Sequence, residues 1–220
     1  GRALDAERLS CRVGAATGLS SCATGFVAAA VITGPAGLLA GAIAIGLGAG
    51  IVTPLGFAAL AVGSEHGLAG PDAAAWAGRL EAAVADLDVA LQWAAGGDID
   101  LGLRMSAALW RWWLTSGQLA AGRGWLGRFL ARAAQRRDEE SGRAFCSAAV
   151  LAAENGDYPE AVRLAKIALG IFDALGLPER SAFAATVLGS GYRYLGDRDA
   201  AGRCFQAPLD LRAKLDDRRG

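Results

Sequence analysis

Three turn glycines constrain what this chain can fold into. Gly117, Gly156 and Gly196 lie 39 and 40 residues apart, and each separates two stretches whose apolar residues recur every three or four positions. A helix, a tight glycine turn and a second helix make a unit that cannot bury its apolar face alone. Copies at a fixed period therefore predict a stack of helical hairpins, each packed on its neighbours. The pattern is heaviest in AALWRWWLTSGQLAAGRGWLGRFL, residues 107–130, which holds four of the six tryptophans and predicts two amphipathic helices joined at Ser116-Gly117. The expected fold class is all-α.

The last copy has a more specific form. Leu188-Gly189, then Tyr192, then Ala201 and Phe205 resemble the L-G-x-x-Y…A-x-x-x-F pattern of tetratricopeptide repeats at each spacing. Forty residues earlier, Phe145 takes the tryptophan slot and Ala161 the small slot, while Ala149 and Ala152 replace the glycine and tyrosine. One copy earlier still, Leu109, Trp113 and Gly122 fall in register, but Trp110 stands where a small residue belongs. That first pair is expected to pack more widely or with its helices rotated. The resemblance implies a tetratricopeptide-like helical-hairpin solenoid over residues 55–220.

The chain before the repeats has a different character. Residues 1–24 mix charge, serine and glycine without a period and predict a polar lead-in. Between Gly25 and Val62 no residue is charged. Pro35 and Pro54 bound 18 residues that would extend about 27 Å as a helix, and Gly37/Gly41 and Gly46/Gly50 are small-xxx-small pairs suited to helix contact in lipid. This Gly/Ala-rich apolar segment, 25–54, reads as a membrane span or hairpin, as a buried or self-associating soluble segment, since alanine and glycine give it a modest insertion drive, or as an unrelated fragment that does not fold. Residue 1 is glycine and the only methionine is Met105, so a truncated or processed N-terminus is expected.

From Gly63 to Asp72 the sequence GSEHGLAGPD predicts a turn, with His66 a solvated loop histidine. A helical stripe of Leu80, Val84, Leu87, Leu91 and Trp93 then runs to Gly96-Gly97. Asp98 follows as the N-cap of a helix bearing Leu101, Met105, Leu109 and Trp113 on one side. Capping and the helix dipole account for Asp98-Ile99-Asp100, which on paper also resembles a carboxylate metal pair.

The order of segments resembles a further family. GPDAAAW, ALQW and ALWRWW, read from about Phe57 onward, are similar to the entry into the C-terminal helical-repeat region of large bacterial LuxR-type and SARP-type transcription regulators of the "predicted ATPase" kind. There a P-loop ATPase and a winged helix precede a tetratricopeptide array. This chain departs from that plan. It contains no GxxxxGK[ST], neither of its lysines, Lys166 and Lys214, follows a glycine-rich turn, and the apolar segment stands where a winged helix would be. Neither nucleotide hydrolysis nor direct nucleic-acid binding is carried over, and a formal net charge of zero argues the same way on the second point.

No catalytic set assembles on paper. A single histidine allows no Ser-His-Asp or Cys-His arrangement, and the four cysteines, spread with no CxxC pair, point to a reducing compartment and to no zinc site. Cys146 and Cys204 are expected to be buried packing thiols, and the tryptophans core residues, with Trp112 the one facing outward. The expectation is a non-enzyme without cofactor or metal.

A binding face follows from the helical wheel. The positions opposite the buried stripe of each first helix include Arg104, Arg111, Arg143, Glu154, Arg193 and Tyr194, which predict either a solvated surface or a concave groove for an acidic or carboxylate-bearing protein or peptide. The sequence thus predicts a cytoplasmic, protein-binding scaffold of a bacterial regulatory system, membrane-associated if 25–54 inserts, with self-association open to it. The alternative is a membrane-anchored or membrane-active protein whose glycine-rich segment is the effector and whose repeats mediate assembly.

Overall fold

The structure, a computed structural model, describes residues 56–217. The polar lead-in 1–24 and the apolar segment 25–54, with its membrane reading, lie outside the described residues. Nine helices and no strands are found among the described residues: α1 (56–67), α2 (Ala73–Ala82), α3 (Val84–Gly97), α4 (Ile99–Thr115), α5 (Leu119–Arg132), α6 (Glu139–Glu154), α7 (Tyr158–Ala174), α8 (Pro178–Tyr194) and α9 (Arg198–Asp217). The chain is all-α, and none of these helices is long and apolar enough to cross a membrane.

Of the described residues, 56–61 and Gly78–Trp93 belong to one compact unit, and Val62–Ala77 with the chain from Ala94 onward to another. In the first, Leu80, Ala83, Leu87, Ala90 and Leu91 form a buried stripe at helical spacing. The expected single helix is broken at Ala83 into α2 and α3. Trp93 does not join the stripe and is 40% exposed, because two residues beyond Leu91 it projects to the far side of the wheel.

In the second unit α4 packs on α5 and α6, α5 on α6, and from α6 onward each helix packs on the next. The turns explain this sequential order. Gly117, Gly156, Gly176 and Gly196 all have positive φ, 66° to 85°, a conformation that glycine adopts without the steric penalty a Cβ brings. After each glycine the next residue's N–H returns to the carbonyl five back, as in Gln118 to Trp113 (2.8 Å) and Asp157 to Ala152 (2.9 Å), which closes the helix in a Schellman turn. That same residue then begins the next helix: the carboxylates of Asp157 and Asp197 cap α7 and α9 through the N–H groups of Glu160 and Ala200. One short turn thus ends one helix and starts another, and the chain folds back at once. Gly176 is an addition to the three glycines read from sequence, and it places a turn midway between Gly156 and Gly196.

The connection at Ala133–Asp138 is the exception, longer and without glycine. There Asp138 accepts the Ser141 N–H at 2.8 Å and the Ser141 hydroxyl faces the Asp138 N–H, a reciprocal cap on α6. Asp98 caps α4 as the sequence predicts, accepting the Leu101 N–H at 3.0 Å.

Between helices, aromatic rings seat on glycine. Phe129 lies on Gly102, Trp113 on Gly122, Phe172 on Gly142 and Phe205 on Gly189, each so close that an added Cβ would fall under 3.0 Å from a ring atom. The first pair therefore packs tightly through Gly102 and Gly122. Trp110, the residue expected to force it apart, points instead toward α8, with its ring centroid 6.3 Å from that of Phe183.

Candidate functional site

The second unit has a hollow of about 500 Å³ on the side of α4, α6 and α8, closed by the end of α1 and the turn that follows. Its wall is aromatic where Trp110 faces Phe183, and its rim carries Arg111, Arg143 and Arg180 with Glu65, Glu179 and His66. Local structure explains how the rim residues arrive. The helix α1 runs through His66, and the turn occupies 68–72 rather than the predicted Gly63–Asp72. The α1–α2 corner is then fixed by Trp76, against which Gly63 and Gly67 lie; a Cβ on Gly67 would stand 2.2 Å from its ring. Trp76 is the tryptophan of the GPDAAAW segment, so its role is to lock Val62–Ala77 into one shape.

Arg143 joins that segment to the repeats. Its guanidinium donates to Glu65 and to Glu140, the latter at 3.0 Å, with only 12% of its side chain exposed. Arg180 is likewise held by Glu139 at 2.7 Å. Arg104, half-buried on the same face, has its pKa lowered by burial and by the neighbouring Arg143 charge, against the opposing influence of Glu140. Like charges here are offset by internal carboxylates. Arg143, expected on a solvated surface or in a groove open to a carboxylate-bearing partner, is instead a structural ion-pair partner, and charge reversal there would unbalance the fold.

Arg111 differs. Its guanidinium lies 4.5 Å from the Trp110 ring centroid, a cation–π contact, and among the described residues no carboxylate pairs with it. It also borders a second hollow of about 340 Å³, lined with Trp110 by Leu68, Ala73, Ala74, Ala77, Leu114 and Thr115. Among the described residues, Arg111 is the only charged one lining that cavity.

The remaining members of the expected face are elsewhere. Glu154 is exposed at the C-terminal end of α6. Tyr194, 59% exposed, stacks on Tyr158 with centroids 4.6 Å apart, and Arg193 covers it at 5.4 Å. None of these three lines either hollow. The hollow draws on the C-terminal half of α4 but the N-terminal halves of α6 and α8, so equivalent repeat positions are not at one level.

Two further expectations change. Trp112 is buried, at 3% exposure, and Trp110 is the member of the trio that reaches the surface. Trp112 falls two helical turns after buried Met105 and so shares its stripe. Cys146 is buried as predicted, and burial pushes its thiol up to about 12. Cys204 is only half-buried, on the edge of an open hollow of about 760 Å³ between α7, α8 and α9. That hollow is larger, but fewer charged groups converge on it. Among the described residues no group of three or more His, Cys, Asp or Glu is placed to hold a metal ion.

No protein-family model matches the chain, and no curated protein matches it.

Proposed function

We propose that the chain is a non-enzymatic, tetratricopeptide-like helical-hairpin scaffold that binds a protein or peptide through the face of α4, α6 and α8. One observation carries the reading: an aromatic-walled, half-enclosed hollow has at its mouth a guanidinium, Arg111, with no internal carboxylate partner among the described residues. Concave apolar surface with a few convergent polar groups is the usual form of a recognition site. The sequential packing of hairpins and the ring-on-glycine contacts support the repeat reading. The setting is a cytoplasmic bacterial regulatory system of the LuxR or SARP type, a reading supported by GPDAAAW, ALQW and ALWRWW. Membrane association through 25–54 belongs to the same proposal and is tested by fractionation with and without that segment.

The direct experiment is photocrosslinking in the native host, with benzoylphenylalanine in place of Phe183 or, as a control, Leu209, which is 60% exposed and away from the hollow. A discrete adduct from position 183 alone, lost on Arg111→Gln, supports the assignment. Identical adducts from both positions, or none from 183, contradict it.

A further inference from the structure

Resting on that reading, we propose that the site takes an extended peptide segment with one acidic residue two positions from an apolar one: the carboxylate on Arg111, the apolar side chain in the hollow beside it. The 340 Å³ hollow is lined by Leu68, alanines of α2, Leu114 and Thr115, and among the described residues its only charged group is Arg111. Arg111 is half-buried against Trp110 with no carboxylate partner among the described residues, and a carboxylate fits its planar fork with two parallel hydrogen bonds. In an extended chain residues i and i+2 face the same side about 7 Å apart. Two neighbouring recesses sharing Trp110 and Arg111 as their common wall suit that spacing. The peptide then continues over the Trp110–Phe183 pair, whose rings offer flat apolar contact without further charge.

The far rim limits the acidity of the partner. Arg143 is taken by Glu65 and Glu140, and Arg180 by Glu139, so neither is free for a second carboxylate. Glu179 lines the same hollow, and no basic residue pairs with it among the described residues. A second or third acid on the peptide meets Glu179 and repels. The partner is therefore apolar with a single acid, which separates it from the polyacidic tract that a simple count of arginines on this face suggests.

A random nonapeptide display library selected on the 220-residue protein tests this. Enrichment of an apolar residue and a single Asp or Glu two positions apart is expected. A blocked synthetic peptide of that consensus should bind about 10- to 100-fold more weakly once its acid is made the amide, and Arg111→Gln should weaken the parent peptide equally while leaving the amide form unchanged. A consensus that is polyacidic or without an acid, or an acid effect that persists in Arg111→Gln, overturns the proposal. A consensus that maps by crosslinking to the Arg193–Tyr194 end overturns this site and leaves the scaffold reading standing. No enrichment at all removes both.

Discussion

Glycine-to-alanine exchange separates two kinds of helical glycine that look alike in sequence. An alanine at Gly102 would place its Cβ 2.0, 2.3 and 2.5 Å from three ring atoms of Phe129. Phe129 is 0% exposed, so its ring has no room to swing aside. Overpacking of this kind costs about 1–3 kcal/mol, and contact this deep belongs at the upper end. Helix propensity returns about 1 kcal/mol on replacing glycine by alanine, leaving a net loss of about 2 kcal/mol. Gly124 and Gly127, in α5, have nothing within 4 Å of a built Cβ, so the same exchange there should stabilise by about 1 kcal/mol. Urea unfolding followed by far-ultraviolet circular dichroism measures both. Gly102→Ala should also regain most of its loss when Phe129→Leu is added, since the shorter side chain vacates the space. A Gly102→Ala protein as stable as wild type, or no coupling to position 129, would refute the packing of α4 on α5.

Arg143→Met should destabilise by about 1.5–3 kcal/mol through the loss of charge-assisted bonds to Glu65 and Glu140, and should speed amide exchange in 62–77; Arg111→Gln should stay within about 0.5 kcal/mol of wild type. Gly176→Ala, at φ +66°, should cost about 1–2 kcal/mol in urea unfolding. Asp138→Ala should cost about 1 kcal/mol. Partial burial pushes the Asp138 carboxyl up, but the Ser141 and Arg136 donors outweigh it and hold it below its ordinary value. The cap's ionic contribution is therefore full above about pH 4 and fades as acid protonates it, so the gap between wild type and Asp138→Asn should close below that pH. On alkylation near pH 8, read by peptide mass spectrometry, half-buried Cys204 should be modified well before Cys146, whose thiol is pushed up to about 12.

The parts of this fold legible in sequence are those set by local chemistry. A glycine that must take positive φ, and an aspartate three residues before a free N–H, reveal themselves at short range; Gly117, Gly156, Gly196 and Asp98 were read on that ground. Gly176 lies at half the repeat period and so outside the 39- and 40-residue spacing, although its L-G-L-P setting, glycine then proline, is a helix-end signal. Side-chain direction along α4 was also available: Trp112 lies seven residues beyond Met105, which puts both on the buried side.

The site was less legible because it depends on long-range pairing. The helical wheel puts Arg104, Arg111 and Arg143 on one face, but nothing near Arg143 in sequence indicates that Glu65, 78 residues away, occupies it. Glu154, Arg193 and Tyr194 would join that face only if equivalent positions in successive repeats lay at one level. The contact of Trp110, near the end of α4, with Phe183, near the start of α8, shows the offset that separates them.

The most direct test of the binding face is amide hydrogen exchange, read by mass spectrometry, on the 220-residue protein with and without saturating amounts of a peptide selected on it. Protection should concentrate in 62–77, 107–115, 143–147 and 179–183, segments that line the two hollows sharing Arg111. Protection centred on 190–205, or spread evenly over all helices, would contradict the assignment of that face as the place where this protein meets its partner.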